Sequence, residues 1–466
     1  MPSLSLVGPS YALRFGKADN ERTINYVPVQ IESGLGKGGA GSYLKQFPGL
    51  SLLASSLGAV RGLCVARDVL YVVAGTSLYE VSAAWAATNR GSVSGSGIAS
   101  MAVNNTQIAI ACGSTGYVYD LDTQALTAQS TGWRGSDRVD VLDGFGVFAE
   151  PDTAQFYLSA NQDFSTLDPL DFATLEGSTG NVVAWLVKHR EAVFIKQNTG
   201  EVWYDNPDQD FPLARNSGAN IEVGCSAVHS LQKIGGVAYW LGRDEQGAAA
   251  VFQMAAYQPQ RISNHWLEEQ LQAIGETPDA YGFTMHFDGL TFYVLQVPGL
   301  NTTPCFEVTS GLWFELAEFV DGEYAPWRGV AHAYVYGTHV IGDADGNLYK
   351  LDATKNTNNG DTLVRDRITP HFALPNLKRQ RVGSIQFDCD VGQGLPSGQQ
   401  ARLMLRYSDD GGQSWGNWRY LTLGVVGQRK ARARATMLGA ARDRVWHIRV
   451  TDDVTCNLLA AVVNEI

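Results

Sequence analysis

Apolar residues in this chain recur at every second position in short runs, as at Val69, Tyr71 and Val73 or at Val193 and Ile195, and the runs stop at glycine, asparagine or aspartate. A period of two bounded by turn residues is the mark of β-strands. The runs also come in a repeated order. A short apolar strand is followed by a charged or glycine-containing turn, then by a second strand rich in Val, Ile, Phe and Tyr, then by a glycine turn into Leu-Tyr or Val-Tyr. Instances begin at Arg61, Ser100, Arg138, Val182, Ser226, Gly282 and Arg328, a mean spacing of about 44 to 45 residues that suits the blade of a β-propeller. One such sheet cannot close a core alone, whereas a ring of them buries both faces of each sheet and leaves only short protected edges. The pattern predicts an all-β fold with a β-propeller of about seven blades over residues 61–352.

The long step between Ser226 and Gly282 holds one helical stretch, RISNHWLEEQLQAIGE. In it Ser263 or Asn264 can cap the first turn, and Leu267, Leu271 and Ile274 share a face. It reads as an insertion packed on a blade edge. Residues 1–60 read as an N-terminal arm and propeller lead-in, with a glycine-rich surface loop, SGLGKGGAGS. After Asp352 the polar run ATKNTNNGDT has no periodicity, which marks 353–362 as a linker. Beyond it SIQFDCDV, ARLMLRYS, WRYLTL, RVWHIRV and LLAAVV alternate strongly, and predict a small C-terminal β-sandwich over residues 363–466.

Composition changes this picture in two places. With 45% hydrophobic and 18% charged residues in 466, the chain can bury large cores and long disorder is excluded. The formal net charge of −12 is unevenly spread: residues 362–466 hold 15 Lys+Arg against 9 Asp+Glu, a net of +6, which leaves −18 upstream. An acidic body with a basic terminal domain points to contact with an acidic surface or nucleic acid through that domain. The six cysteines (Cys64, Cys112, Cys225, Cys305, Cys389, Cys456) stand singly, without metal-ligand spacing, and read as buried reduced thiols. The start, MPSLSLVGPSYALRFG, lacks a basic region followed by a long apolar run, so synthesis in the cytoplasm without membrane insertion is expected.

Few motifs carry chemistry. Ser408, Asp410, Gly412, Ser414 and Trp415 fit an Asp box, a hairpin turn whose aspartate ties down backbone N–H groups while the tryptophan packs beneath, a structural device found in sialidases and other β proteins. The overlapping G-x-S-x-G at Gly412–Gly416 precedes an alternating strand, where a nucleophile elbow needs a helix. A glycosidase needs paired carboxylates, and spacing pairs none of Glu201, Glu222, Asp343 and Asp345; Arg367-Ile368-Thr369-Pro370 only approaches a sialidase signature. Asp343-Ala344-Asp345-Gly346-Asn347 lacks the glycine and glutamate of a calcium loop and reads as a hairpin turn, and Gly36-Lys37-Gly38 lacks the rest of a phosphate loop. No catalytic residue, cofactor or metal site is expected. A carbohydrate-binding or sialidase-like propeller is the alternative reading. The one charged feature with functional weight is Arg429, Lys430, Arg432 and Arg434: on a strand running through these residues, Lys430, Arg432 and Arg434 would present a line of positive charge with Ala431 and Ala433 behind it. Such a line suits DNA phosphates or an acidic protein partner.

Several patches, in order, resemble the packaged-DNA stabilisation or tail-hub family of short-tailed, podovirus-like bacteriophages. They are Asn25-Tyr26-x-Pro28, Phe47-Pro48-Gly49-Leu50 before Arg61-Gly62, the block FIKQNTGEVWYDNPDQDFPLARNSGANIEVGCSAVHS, then YWLGRDEQG, PQRISNHWLEE, Gly342-Asp343 with Gly346-Asn347-Leu348-Tyr349, and RDRITPHF. The resemblance implies a virion structural protein of the tail. Its relatives form a homo-oligomeric ring, expected here as a hexamer, on the portal-adaptor proteins, hold the packaged DNA in, and give attachment to the tail needle and to tailspikes or fibres. It implies no catalytic residues.

Overall fold

The repeat found in the sequence is the blade of a ring. A computed structural model describes residues 3–13, 19–31, 41–206, 211–243, 247–373, 378–395 and 398–465. The first blade is four antiparallel strands, Val60–Ala66, Val69–Ala74, Ser77–Val81 and Ala87–Ser92. Six further sheets follow with their inner strands at Ser100–Val103, Asp140–Leu142, Val182–Lys188, Gln232–Ile234, Tyr281–Phe287 and Gly329–Val335. Neighbouring inner strands touch all the way round, and the last touches the first. Six of the seven repeat starts fall within two residues of an inner strand; in the fifth, a 3-10 turn at Val228–Ser230 intervenes after Ser226.

Second strands are apolar on both faces because both are covered. Tyr71 and Val73 pack with Ile108 and Ile110 of the second blade, while Leu70 and Val72 pack with Val340 and Leu348 of the seventh. The same arrangement recurs between each successive pair of blades. The helix, His265–Ile274, is capped by Asn264, whose side-chain oxygen accepts from the Leu267 N–H at 3.1 Å, and it buries Leu267 and Leu271 between the fifth and sixth blades.

Closure comes from the other end of the chain. The seventh blade draws only Gly329–Val335, Thr338–Asp343 and Leu348–Asp352 from its own repeat, and its fourth strand is Gly49–Ala54, with Leu50 opposite Leu351. Gly49 has to be glycine here, since a Cβ would lie 2.3 Å from the Thr357 carbonyl oxygen. The expected N-terminal arm and lead-in over residues 1–60 is corrected accordingly. Tyr26–Gln30 and Ser42–Gln46 form a hairpin in one sheet of the sandwich with Leu458–Glu465, Gln380–Cys389 and Ala433–Thr436. Asn20–Ile24 lies in the other, beside Arg365–Ile368, Asp443–Val450, Ala401–Ser408 and Arg419–Gly424. Leu4, Leu6, Tyr26 and Leu44 are accordingly in the sandwich core with Leu403, Trp446 and Val463. The expected linker 353–362 also carries structure, because Thr357–Asn358 and Asp361–Thr362 extend the seventh-blade sheet past Leu50. Partners this remote in sequence leave no local periodic signal. Most of the glycine-rich loop, with Gly36-Lys37-Gly38, lies outside the described residues. Of the six free cysteines, Cys64 and Cys389 are half-buried and the other four buried.

Propeller and sandwich share a sheet. Ile24 bridges in parallel to Glu315 on the outer strand of the sixth blade, so that sheet continues into the sandwich. Asn25, buried and at a φ of 55°, uses its whole side chain at this seam: Nδ2 donates to the carbonyls of Ala317 and Val364, both at 2.8 Å, and Oδ1 accepts from the Ala317 N–H at 3.0 Å. Arg365 and Arg367 are both fully buried and bind different parts of the chain. Arg365 donates to Gln46 Oε1 and the Val454 carbonyl at 2.6 Å, and Arg367 donates to the Leu6 carbonyl, Thr23 Oγ1 and Glu21. Between them Asp366 accepts both Arg449 nitrogens at 2.6 and 2.8 Å and the Tyr324 hydroxyl of the sixth blade. Burial alone would raise the Asp366 pKa, but His447 and Arg449 more than offset it and hold the carboxyl well below the usual carboxylate range.

Two stability predictions follow from these contacts. Leu50→Ala in the closing strand removes a buried side chain from the core between the sixth and seventh blades and should cost about 2–5 kcal/mol in urea unfolding. Asp366→Asn leaves the half-buried Arg449 without its carboxylate and should cost about 3 kcal/mol at neutral pH. Because the native carboxyl is depressed, its contribution is present above the unfolded-state pKa and fades as pH falls below about 4; unfolding midpoints of variant and wild type should therefore converge only in that acid range.

Candidate functional site

Four cations single out the edge of the sandwich remote from the propeller, where Arg419–Gly424 ends one sheet and Ala433–Thr436 ends the other. Arg419 Nη1 donates to the Thr436 carbonyl at 3.0 Å and ties the two edges together. Within Ala433–Thr436 the alternation is as expected: Ala433 and Ala435 are buried, and Arg434 and Thr436 are exposed. Arg434 reaches Ser384 Oγ at 3.1 Å on the neighbouring strand. The strand expected through Arg429 begins only at Ala433, and that reading is corrected. Gly424 and Gly427 take φ values of 87° and 82°, and the chain turns, with the Gln428 N–H donating to the Val425 carbonyl at 3.0 Å and the Ala431 N–H to the Gln428 carbonyl at 3.1 Å. Arg429 and Lys430 sit in that turn and Arg432 follows it, all three exposed.

The result is a cationic edge rather than a straight line of charge. Among the described residues no ion pair engages Arg429, Lys430, Arg432 or Arg434. Arg429, Lys430 and Arg432 form one wall of a shallow groove whose other wall includes Asp388 and Asp390. Asp390 is occupied by Asn457, which donates through Nδ2 at 2.7 Å and its backbone N–H at 3.0 Å. Apolar groups stand beside the cations: Tyr420 is 60% exposed, Val426 71% and Met437 87%. Met437 also has a φ of 58°, an uncommon conformation for a side-chain-bearing residue.

The Asp box closes the hairpin between Ala401–Ser408 and Arg419–Gly424. Ser408 Oγ donates to Asp410 Oδ1 at 2.6 Å and accepts from the Gly412 N–H at 2.8 Å; Asp410 in turn accepts from the Ser414 N–H at 2.9 Å and from the Ser414 hydroxyl. These hydrogen bonds hold the Asp410 carboxyl well below its usual range. Gly412 sits at a φ of 90°, a conformation that favours glycine, and a Cβ there would fall 2.8 Å from Asn20 Nδ2, which would have to shift. Trp415 and Trp418 sandwich the Arg406 guanidinium, 5.0 and 4.3 Å from the ring centroids, and both rings meet His447 edge-on. Burial is the main cause of a lowered His447 pKa, and His447 Nε2 lies 3.0 Å from Asp366 Oδ2. The box is thus part of the aromatic and cationic stack that leads to the propeller seam.

Two of the four carboxylates weighed for glycan chemistry are engaged elsewhere, while Glu222 and Asp345 are exposed. Asp343 accepts from the backbone N–H groups of Asp345 and Asn347, from Asn347 Nδ2 and from the Tyr349 hydroxyl, which makes it the clamp of a hairpin turn. Glu201 is buried beside Lys196 at 3.4 Å and Arg215 at 3.1 Å. Arg367 holds the N-terminal segment. Sequence reasoning missed the axial cavity of the propeller, whose wall includes Arg61 and Arg138. A signal was present, since three repeats begin with arginine, at Arg61, Arg138 and Arg328. Of these, Arg328 is ion-paired to Glu318 and Asp361.

Comparison with known proteins agrees with the architecture. Residues 19–356 match the family model described as bacteriophage P22 Gp10, beta-propeller, and residues 366–465 the model described as bacteriophage P22 Gp10, beta-sandwich. No curated protein sequence matches the chain. Similar solved structures include the computationally designed Ika8 protein (15% identity, 75% of this chain and 98% of that one, TM-score 0.39). The N-terminal domain of Nup159 is another (9% identity, 71% and 98%, TM-score 0.42), as is the extracellular domain of the putative one component system BT4673 from B. thetaiotaomicron (7% identity, 81% and 48%, TM-score 0.44). Among the described residues no helix is long and apolar enough to cross a membrane. With both models matched in order over most of its length, the chain belongs to the bacteriophage P22 Gp10 family of phage structural proteins.

Proposed function

We propose that the protein is a tail hub: a ring of copies, six by the family resemblance, that caps the portal-adaptor channel, keeps packaged DNA from leaking and offers attachment to the tail needle and to tailspikes or fibres. The role is mechanical. A propeller closed by the chain's own N-terminal strand and joined to the sandwich through a shared sheet and buried ion pairs is suited to bear load without changing shape.

The observation that carries the reading is the sandwich edge. Arg429, Lys430, Arg432 and Arg434 project from it with no ion pair among the described residues, next to exposed Val426 and Met437. Unpaired cations bordered by apolar side chains suit an interface with an acidic partner, where charge fixes register and apolar area adds affinity. The acidic candidates are DNA phosphates at the channel mouth and the neighbouring proteins of the tail.

Charge reversal tests this. The variant K430E/R432E/R434E changes exposed side chains and should keep the wild-type circular dichroism and unfolding midpoint, while the assembled particles lose packaged DNA and infectivity. Normal DNA retention and infectivity in that variant would take the basic edge out of the mechanism.

A further inference from the structure

Two of the six cysteines meet inside the sandwich, beneath the cationic edge. Cys389 is the last residue of Gln380–Cys389 and pairs with Leu458, the first of Leu458–Glu465. One residue further on, the Asp390 N–H donates to the Asn457 carbonyl at 3.3 Å, which draws the chain at Cys456 alongside Cys389. Cys456 is fully buried in the sandwich core, and the half-buried Cys389 packs against that core. The two thiols are hydrogen-bonded to each other.

Their surroundings make the two sulfurs unequal. Gln46 Oε1 accepts from Arg365 Nη1 at 2.6 Å and from the Cys456 N–H at 3.0 Å, so guanidinium and cysteine stand side by side. The other acceptors of Arg365 are the carbonyls of Val454 and Asp452, neutral oxygens like that of Gln46. A buried guanidinium held in this way favours an anion next to it. The hydrogen bond from Cys389 and the Arg365 charge hold the Cys456 thiol below its ordinary range against the effect of burial. That same hydrogen bond, then burial, then Asp388 and Asp390, push the Cys389 thiol up. The proton of the pair therefore sits on Cys389, which donates to the Cys456 sulfur. Cys389 also lines the shallow groove walled by Arg429, Lys430 and Arg432, so one sulfur faces the solvent side and the other lies behind it. Cys64, the other half-buried thiol, is pushed up to about 12 by burial, with no charge to offset it.

We propose that Cys389 and Cys456 form a dithiol modification site, which a low-molecular-weight disulfide converts to an internal disulfide. Cys456 takes the proton of Cys389 as Cys389 attacks one sulfur of the reagent, whose S–S bond breaks. The reagent's other half leaves as a thiolate and carries that proton off. Cys456, again a thiolate, attacks the Cys389 sulfur of the mixed disulfide, and the second half leaves and is protonated from solvent. Two protein thiols are oxidised, and one reagent disulfide is reduced to two thiols. The new bond closes the chain between Cys389 and Cys456 into a loop that contains all four cations of the edge, and restricts the unfolded chain accordingly. A phage particle crosses the medium between cells, where disulfides persist. The site lies within one copy of the chain and does not depend on the hub assignment.

The test uses the full-length protein, reduced with dithiothreitol, freed of it and incubated with excess glutathione disulfide. The chain should lose two of its six thiols without retaining glutathione, and peptide mapping should join Cys389 to Cys456. The urea midpoint should rise on oxidation and return when dithiothreitol is added. Cys456→Ser should stop at the mixed disulfide, with one glutathione on Cys389. Cys389→Ser, at the half-buried position, should form no internal disulfide and show no midpoint shift. Six free thiols after incubation, a disulfide between any other pair, or a midpoint shift retained by Cys389→Ser would overturn the proposal.

Discussion

One strand of six residues, Gly49–Ala54, holds this molecule in its shape. A propeller made of consecutive repeats has two free ends where the ring meets itself, and each would expose a sheet edge and an apolar face. Here the seventh blade is completed by a strand from the opposite end of the chain, so Val340 and Leu348 on one side and Leu50 and Tyr349 on the other are all covered. Ring closure therefore joins residues some 300 positions apart. The same N-terminal segment has already contributed five strands to the sandwich sheets, Ser3–Leu4, Tyr11–Ala12, Asn20–Ile24, Tyr26–Gln30 and Ser42–Gln46, before it reaches the ring. Opening the ring would pull on the sandwich, and unfolding the sandwich would pull on the ring.

That threading explains why the seam carries so many buried polar groups. Arg365, Asp366 and Arg367 are buried in one short strand, and each binds a different part of the structure: the Ser42–Gln46 hairpin with the C-terminal loop, the sixth blade, and the first residues of the chain. Asn25 does the same with its single amide. Apolar packing in such a place would be indifferent to register, whereas side chains with fixed donors and acceptors admit one arrangement. For a structural protein of a phage tail, a body whose two halves keep one orientation is a useful property.

Much of this was legible in the sequence where the physics is local. The seven blades came from period-two alternation and its recurrence, and the Asp box came from side chains that bond within a few residues of themselves. What failed was everything that depends on distant pairing. Nothing in the short strands between residues 20 and 54 says that Leu44 pairs with Leu458 in the sandwich or that Leu50 pairs with Leu351. Arg367-Ile368-Thr369-Pro370 read as a near-match to a sialidase signature because a buried arginine looks like a surface one until its partners are seen. The basic run was placed on a strand four residues too early, since Gly424 and Gly427 set a turn whose extent alternation does not encode. The axial arginines went unnoticed because the repeats were searched for apolar period and not for charge at a fixed position.

The central claim, that the N-terminal strand locks ring and sandwich into one cooperative body, is tested most directly by native-state amide hydrogen exchange. The amides of Gly49–Ala54 that pair with Leu348–Asp352, and those of Asn20–Ile24 that pair with Arg365–Ile368, should exchange as slowly as the centre of the first blade at Val69–Ala74 and respond to denaturant with the same slope. Rapid exchange of Gly49–Ala54 through a local opening, with the blades still protected, would show that the ring stands without its closing strand and would contradict the account.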